Sequence, residues 1–438
     1  MKRLTVVLVI LLLTAGLSRP GLAQGQQEIP VFVDGLRVDF DVQPIIQNGR
    51  VLVPFRATGE ALKVEVAWDG TTRTVSATDG KNSVRLQIGS STAYRNGTPI
   101  PLDVPPQILN DRTLIPLRFF SEAFGCRVDW DGALMEVRIT SPPAAMTVIG
   151  FYALGDERTS SWTNLFGRPY PEHAAGNTDI VDELALGWYS LDKEGKLLTR
   201  SRTGWQRPDG WERVLKAARE YNLKTEMVVH VTDGDGTLSS LLADEVAMNR
   251  AVNDIMAEAV LYQGINLDFE GLGYQDTGEE LQAVRDSFTR FVGNLAGRIK
   301  AAGLALTLTL HAPNSAYKGY DYKALGGLAD RIIVMAYDYG TIPEPVNLVR
   351  EAVEMALLSV PPEKLVLGIS APAETAASIL TKVGIAKRYG LDGIAIWRLG
   401  LVPGEMWDAL RSTVLTQLAK IHLHVIPDRF NEVSDYLS

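Results

Sequence analysis

From Met146 onward the chain alternates eight apolar runs with longer amphipathic segments, and no other feature limits its fold so tightly. The runs are residues 146–153, 180–188, 224–231, 263–270, 305–312, 331–339, 364–371 and 393–400. Between most of them lie stretches with helical spacing, such as GWERVLKAAREYNL (210–223) and ELQAVRDSFTRFVGNLAGRIKAAG (280–303). Strands that alternate with helices pair in parallel, and eight such units in about 270 residues fit an α/β fold, a (β/α)8 TIM barrel. A doubly wound open sheet is the other arrangement for this pattern, but no glycine-rich phosphate turn follows the first run.

In a barrel of this kind, chemistry gathers at the C-terminal ends of the strands. The fourth run ends in GINLDFEGL (264–272). Strand alternation sends Ile265, Leu267 and Phe269 to one face, and Asn266, Asp268 and Glu270 to the other. The polar face is expected to point into the barrel, with Glu270 nearest the mouth. Same-face neighbours rise roughly 6.6 Å along a strand, so the two carboxyls perturb each other. The more buried one is expected to stay protonated near neutral pH, and a protonated carboxyl at the mouth is a general acid. The sixth run supplies Met335, Tyr337 and Asp338, the eighth Trp397, and the second Trp188 and Tyr189. Aromatic faces beside paired acids suit a sugar, whose C–H face stacks while its hydroxyls take hydrogen bonds.

The front of the chain is a duplication. Residues 50–77 and 112–139 align without a gap, each with Pro-x-Arg, a Glu-Ala pair in a short helical pattern, Trp-Asp-Gly at a turn, and a closing alternating strand. Asx-Gly hairpin patterns precede both copies, at residues 33–38 and 95–100. Two β-α-β-β repeats therefore predict a small α+β domain over residues 28–140. SPPAAM (141–146) reads as a short stiff connector, the barrel as residues 147–420, and residues 421–438 as a tail of unknown role. Lys2 and Arg3, an apolar run to Leu13 and small residues up to Ala23 have the layout of a secretory signal peptide over residues 1–23. The expected location is extracellular.

Composition removes several classes of function. A net charge of −9 argues against nucleic-acid binding. One cysteine, Cys126, permits no intrachain disulfide. The five histidines, His173, His230, His311, His422 and His424, are scattered, so neither a metal nor a cofactor is expected. Asp233, Asp235 and His311 at strand ends read as solvated loop residues.

The front repeat resembles the copper amine oxidase-like N-terminal domain. It has no histidine between Ala23 and Thr140, which excludes an imidazole-based copper site there. That module reads either as an attachment or contact surface, or as a spacer. Residues 147–411 resemble glycoside hydrolase family 18, the chitinase-like barrels, whose strand-4 motif Asp-x-x-Asp-x-Asp-x-Glu here reads Gln263, Asn266, Asp268 and Glu270. Met335, Tyr337 and Asp338 match that family's strand 6, and Trp397 its strand 8. LALGWYSLDKEGKL (184–197) is similar to the spore-wall N-acetylglucosaminidase branch, which implies a place at the cell wall or spore.

The resemblance implies hydrolysis of β-linked N-acetylglucosamine polymers, peptidoglycan or chitin, with the substrate's acetamide as nucleophile. It makes Glu270 the acid and then the base, Asp268 the holder of the acetamide N–H, Tyr337 a hydrogen-bond donor to the acetamide oxygen, and Trp397 the floor. Asn266 is expected to donate to Asp268 and favour its ionised form. HVTDGDGT (230–237) departs from the family's Ser-x-Gly-Gly, and the short interval between strands 7 and 8 omits the insertion that walls a deep groove, which implies a shallow cleft. A non-hydrolytic, lectin-like barrel and a surface scaffold are the alternatives.

Overall fold

The computed structural model describes residues 28–153, 160–201 and 203–416. The segment 1–23 expected to be a signal peptide, the tail over 421–438, and His422 and His424 lie outside the described residues.

Eight parallel strands close into a barrel: β1 (Thr147–Tyr152), β2 (Glu183–Leu191), β3 (Lys224–Thr232), β4 (Gly264–Glu270), β5 (Ala305–His311), β6 (Arg331–Met335), β7 (Leu365–Ser370) and β8 (Gly393–Trp397). Each pairs with the next, and β1 pairs with both β2 and β8, so the sheet has no free edge. The strands read as apolar runs because both faces are buried, one under helices and one inside the barrel. On β4, Ile265, Leu267 and Phe269 are fully buried on the outer face. Phe269 packs there against Phe288 and Phe291 of the helix Gly278–Ala301, with ring centroids 5.8 and 5.4 Å away.

The barrel interior is layered. A charged floor holds Arg331, whose guanidinium sits 2.6 Å from Glu183 and 2.9 Å from Glu226. Above it, an apolar layer includes Ile149, Ala185, Val228, Ile333, Val366 and Ala395. The interior positions of β4 run upward from Asn266 through Asp268 to Glu270 at the mouth.

The front module repeats its elements at a constant spacing. Helix Phe55–Ala61 and the strands Arg50–Pro54, Glu65–Asp69 and Thr74–Thr78 recur as Leu117–Ala123, Arg112–Pro116, Arg127–Asp131 and Glu136–Thr140. The two copies meet where Arg50–Pro54 and Arg112–Pro116 pair antiparallel, with Val53 opposite Ile115.

The connector does not stand free of the barrel. Ala144–Ala145 pairs with Val414–Leu415. The module also rests on the barrel helix Ala376–Tyr389, where Asp34 faces Lys387 at 3.7 Å and Ser141 bridges the two. A side chain at Gly384 would collide with the Asp34 carbonyl at 2.3 Å, so this contact needs glycine.

Candidate active site

Asp268 and Glu270 project into the barrel mouth from the end of β4. Asp268 is 3% exposed and its Oδ1 has no hydrogen-bond partner. Burial first, and then the charge of Glu270, hold its carboxyl well above the usual carboxylate range. Glu270 is more open and titrates the other way. Burial pushes it up, but the hydrogen bond and charge of His230 and the charge of His311 outweigh that and hold it below its ordinary value. His230 Nε2 lies 3.2 Å from Glu270 Oε1, and His311 Nε2 3.8 Å from Oε2. In the resting protein the carboxyl proton therefore sits on Asp268, and Glu270 is the anion.

The expected bond from Asn266 to Asp268 is not formed. Asn266 is fully buried one layer lower, where its Nδ2 donates to Glu226 Oε2 at 3.2 Å and its Oδ1 accepts from Thr309 Oγ1 at 2.8 Å. Glu226 also accepts from Thr307 Oγ1 at 2.5 Å. Asn266 is thus a strut between floor and site, with no surface to offer a ligand. Gln263 is farther down, where it accepts from Thr225 N and Oγ1 at 2.8 Å.

Tyr337 and Met335 continue the inward positions of β6 into the mouth. Burial, and then the charges of Asp268 and Glu270, raise the Tyr337 hydroxyl well above its ordinary value, so it is a hydrogen-bond donor at any working pH. Asp338 is exposed on the rim. Its carboxyl is raised by burial and then by the charges of Glu344 and Glu270. Trp397 is half-buried at the end of β8 with its edge against Phe151, ring centroids 5.6 Å apart.

Trp188 and Tyr189 are not at the mouth. The β2 register shifts between Gly187 and Tyr189, which turns both rings into the layer between strands and helices. Trp188 packs edge-on to Tyr152 and Trp211. Tyr189 bonds to Tyr262, Glu258 and Arg207 at 2.7, 2.8 and 3.2 Å. Both are core residues, and the substrate-binding expectation for them is corrected.

The aromatic wall that strand 2 was expected to supply comes instead from Trp205. Its ring lies parallel between His230 at 4.1 Å and Trp397 at 5.0 Å. Gly187 makes room for it, since a Cβ there would stand 2.6 Å from the indole. His311, expected in solvent, stacks on Tyr317 at 4.1 Å, with burial lowering its pKa against the pull of Glu270. His230 was legible as an inward position, since it shares parity with Glu226 and Val228 on β3. Trp205 belongs to a connecting segment, where no periodicity announces its direction.

Donor atoms of His230, Asp268 and Glu270 lie within 4.8 Å of one another, a spacing that would admit a cation. The hydrogen bond between His230 and Glu270 satisfies those two groups without one.

Asp268 should cost the protein stability. Its folded pKa is raised, so ionisation favours the unfolded chain as pH climbs above the unfolded carboxylate value. Asp268→Asn is expected to melt a few degrees higher than the parent at pH 7, by roughly 2–4 °C for each kcal/mol recovered. The gain should vanish near pH 4. Paired melting curves at the two pH values check this.

Comparisons with known proteins fit the barrel. Residues 178–375 match the model of glycosyl hydrolases family 18. The match spans β2 through β7 of the barrel. Residues 32–139 match the copper amine oxidase N-terminal domain. Curated relatives include cortical fragment-lytic enzymes of Bacillus anthracis, 26% identical over 35% of this chain and 40% of the relative, and of Bacillus subtilis, 30% identical over 29% and 31%. The chain matches less than half the length of either relative. In fold, the barrel is similar to the crystal structure of the Bacillus cereus spore cortex-lytic enzyme, with a TM-score of 0.51 at 18% identity over 64% of this chain and 77% of that one.

Proposed function

We propose that the barrel hydrolyses β-linked N-acetylglucosamine-containing polymers, of peptidoglycan or chitin type, by substrate-assisted retaining catalysis. The observation that carries this reading is the Asp268–Glu270 pair at the end of β4, one carboxyl buried and raised in pKa, the other open and lowered, at an aromatic-walled mouth. The family match over residues 178–375 and the cortex-lytic relatives support the substrate class.

The chemistry follows from the carboxyl proton on Asp268. Passing it from Asp268 to Glu270 arms Glu270 as an acid and leaves Asp268 as an anion. Glu270 protonates the glycosidic oxygen as the C1–O bond breaks. The acetamide carbonyl oxygen closes on C1, and the positive charge on its nitrogen is met by Asp268. Tyr337 donates to the acetamide oxygen, and Trp397 supports the ring. Glu270, again a carboxylate, then takes a proton from water as the water oxygen attacks C1 and the bond from C1 to the acetamide oxygen breaks, which regenerates the neutral acetamide and restores the β configuration.

A lectin-like barrel would need the walls but not the acid, and retention of both carboxyls at the mouth favours hydrolysis. The leader-like N-terminus supports a location outside the cell membrane, at wall or spore, with the front module as the attachment element. Mass spectrometry of products from peptidoglycan and from chitin oligomers tests the reading. New reducing N-acetylglucosamine ends on either polymer are the expected result, and binding without cleavage on both would replace it with the lectin.

A further inference from the structure

The front module carries two grooves, of about 660 and 410 Å³, that are images of each other. All eleven residues lining the smaller groove have their counterpart, 62 positions away in the chain, in the lining of the larger. Arg56, Glu60 and Trp68 in one correspond to Arg118, Glu122 and Trp130 in the other. The symmetry includes the ion pairs that close each groove, Arg112 with Asp41 and Arg50 with Asp103. Each pair joins the two copies of the repeat, so neither copy could form a groove alone.

The tryptophans are the groups without a structural explanation. Trp68 and Trp130 are 37% and 40% exposed, on strands at the edges of their sheets. The rest of each Trp-Asp-Gly is accounted for locally. Asp69 accepts from Thr71 N at 2.8 Å and Asp131 from Ala133 N at 3.0 Å, which holds the turn. A Cβ on Gly132 would press to 3.4 Å on the Trp130 ring nitrogen. Ile46 and Ile108, also repeat counterparts, are 46% and 45% exposed. Exposed apolar side chains on an edge strand are an association hazard, and here the same positions bear them twice.

We propose that the two grooves are twin glycan-binding subsites, one sugar ring stacking on Trp68 and another on Trp130. Arg56 and Glu60, and Arg118 and Glu122, hydrogen-bond the hydroxyls and acetamido groups. An indole face flanked by charged groups of both signs suits an uncharged polyhydroxylated ring, and the net charge of −9 disfavours a polyanion. Two sites built on the same repeat positions match a ligand that repeats along its own length, and joint engagement multiplies affinity. The inference rests on the reading that this chain acts on a repeating N-acetyl sugar polymer. It gives the module the task of holding that polymer while the barrel cuts.

Full-length protein carrying Glu270→Gln, to prevent degradation, is sedimented with insoluble chitin and with peptidoglycan. Trp68→Ala or Trp130→Ala is expected to weaken retention by roughly tenfold, and the pair by about a hundredfold. The paired tyrosine variants, which keep an aromatic platform, should retain most of the affinity. Arg56→Ser with Arg118→Ser, both exposed, repeats the test without touching the edge-strand rings. In the active background, hydrolysis of short soluble oligomers, which need only the barrel, should stay within twofold. Unchanged retention of the double alanine and double serine variants on both polymers would overturn the proposal, as would tyrosine variants that fold but bind as poorly as alanine. Loss of retention by the tryptophan variants in a chain that hydrolyses no oligomer would sink the hydrolase reading and leave the twin sites standing.

Discussion

Glu270→Gln is expected to cut hydrolysis of N-acetylglucosamine oligomers by about a thousandfold or more while changing KM by less than threefold. The amide matches the carboxyl in shape but cannot release a proton to the glycosidic oxygen or take one from water. General acid–base groups contribute about 10²–10⁴ in rate, and this residue is asked to serve in both steps. The variant should stay folded, because the Glu270 side chain is 29% exposed at the mouth and its amide can still meet His230. Steady-state kinetics beside a melting curve separate these statements. A normal melting temperature with retained turnover would remove Glu270 from the mechanism.

Arg331→Met is expected to have the largest effect on stability. Its guanidinium meets Glu183 and Glu226 at 2.6 and 2.9 Å and Asp392 at 3.7 Å, on a floor where Glu226 is 2% exposed. Methionine fills much of the volume and leaves Glu226 buried without a cation and Glu183 with Lys224 alone, at 3.3 Å. Breaking such a cluster typically costs about 3–5 kcal/mol, which lowers the melting temperature by roughly ten degrees. Burial pushes Glu183 up, but the hydrogen bond and charge of Arg331, with help from Lys224, hold it below its ordinary value. A depressed carboxylate contributes stability above its unfolded pKa and loses it as pH falls through the folded value. The gap between parent and variant should therefore be widest near pH 7 and narrow below about pH 4. The same floor bears on the chemistry, since Glu226 holds Asn266 directly beneath Asp268.

The eight strands could be read from apolar runs because parallel barrel strands are buried on both faces. Where that condition ends, so did legibility. The sixth run continues to residue 339 in the sequence, but β6 stops at Met335, since a run of apolar letters cannot show where a chain leaves the sheet. Alternation placed Asp268 and Glu270 on the inner face, whereas Trp188 and Tyr189 were placed at the mouth only by their position at the end of the second run, and a bulge that no local residue type announces turns both outward. Asn266 shares the inward parity of the acids, yet depth along the barrel axis makes it a strut. His230 and His311 stand forty residues before and after the acid pair, so only the closed sheet brings them to Glu270. The duplication was plain in the letters. That the two copies close each other's grooves followed only from the antiparallel meeting of Val53 and Ile115.

The most direct test of the central claim is the configuration of the first product, followed by proton NMR on an N-acetylglucosamine oligomer and on its de-N-acetylated counterpart. The account predicts that the β-anomer appears first from the acetylated substrate and that the de-N-acetylated one is not cleaved. An initial α-anomer, or equal cleavage of both substrates, would contradict it.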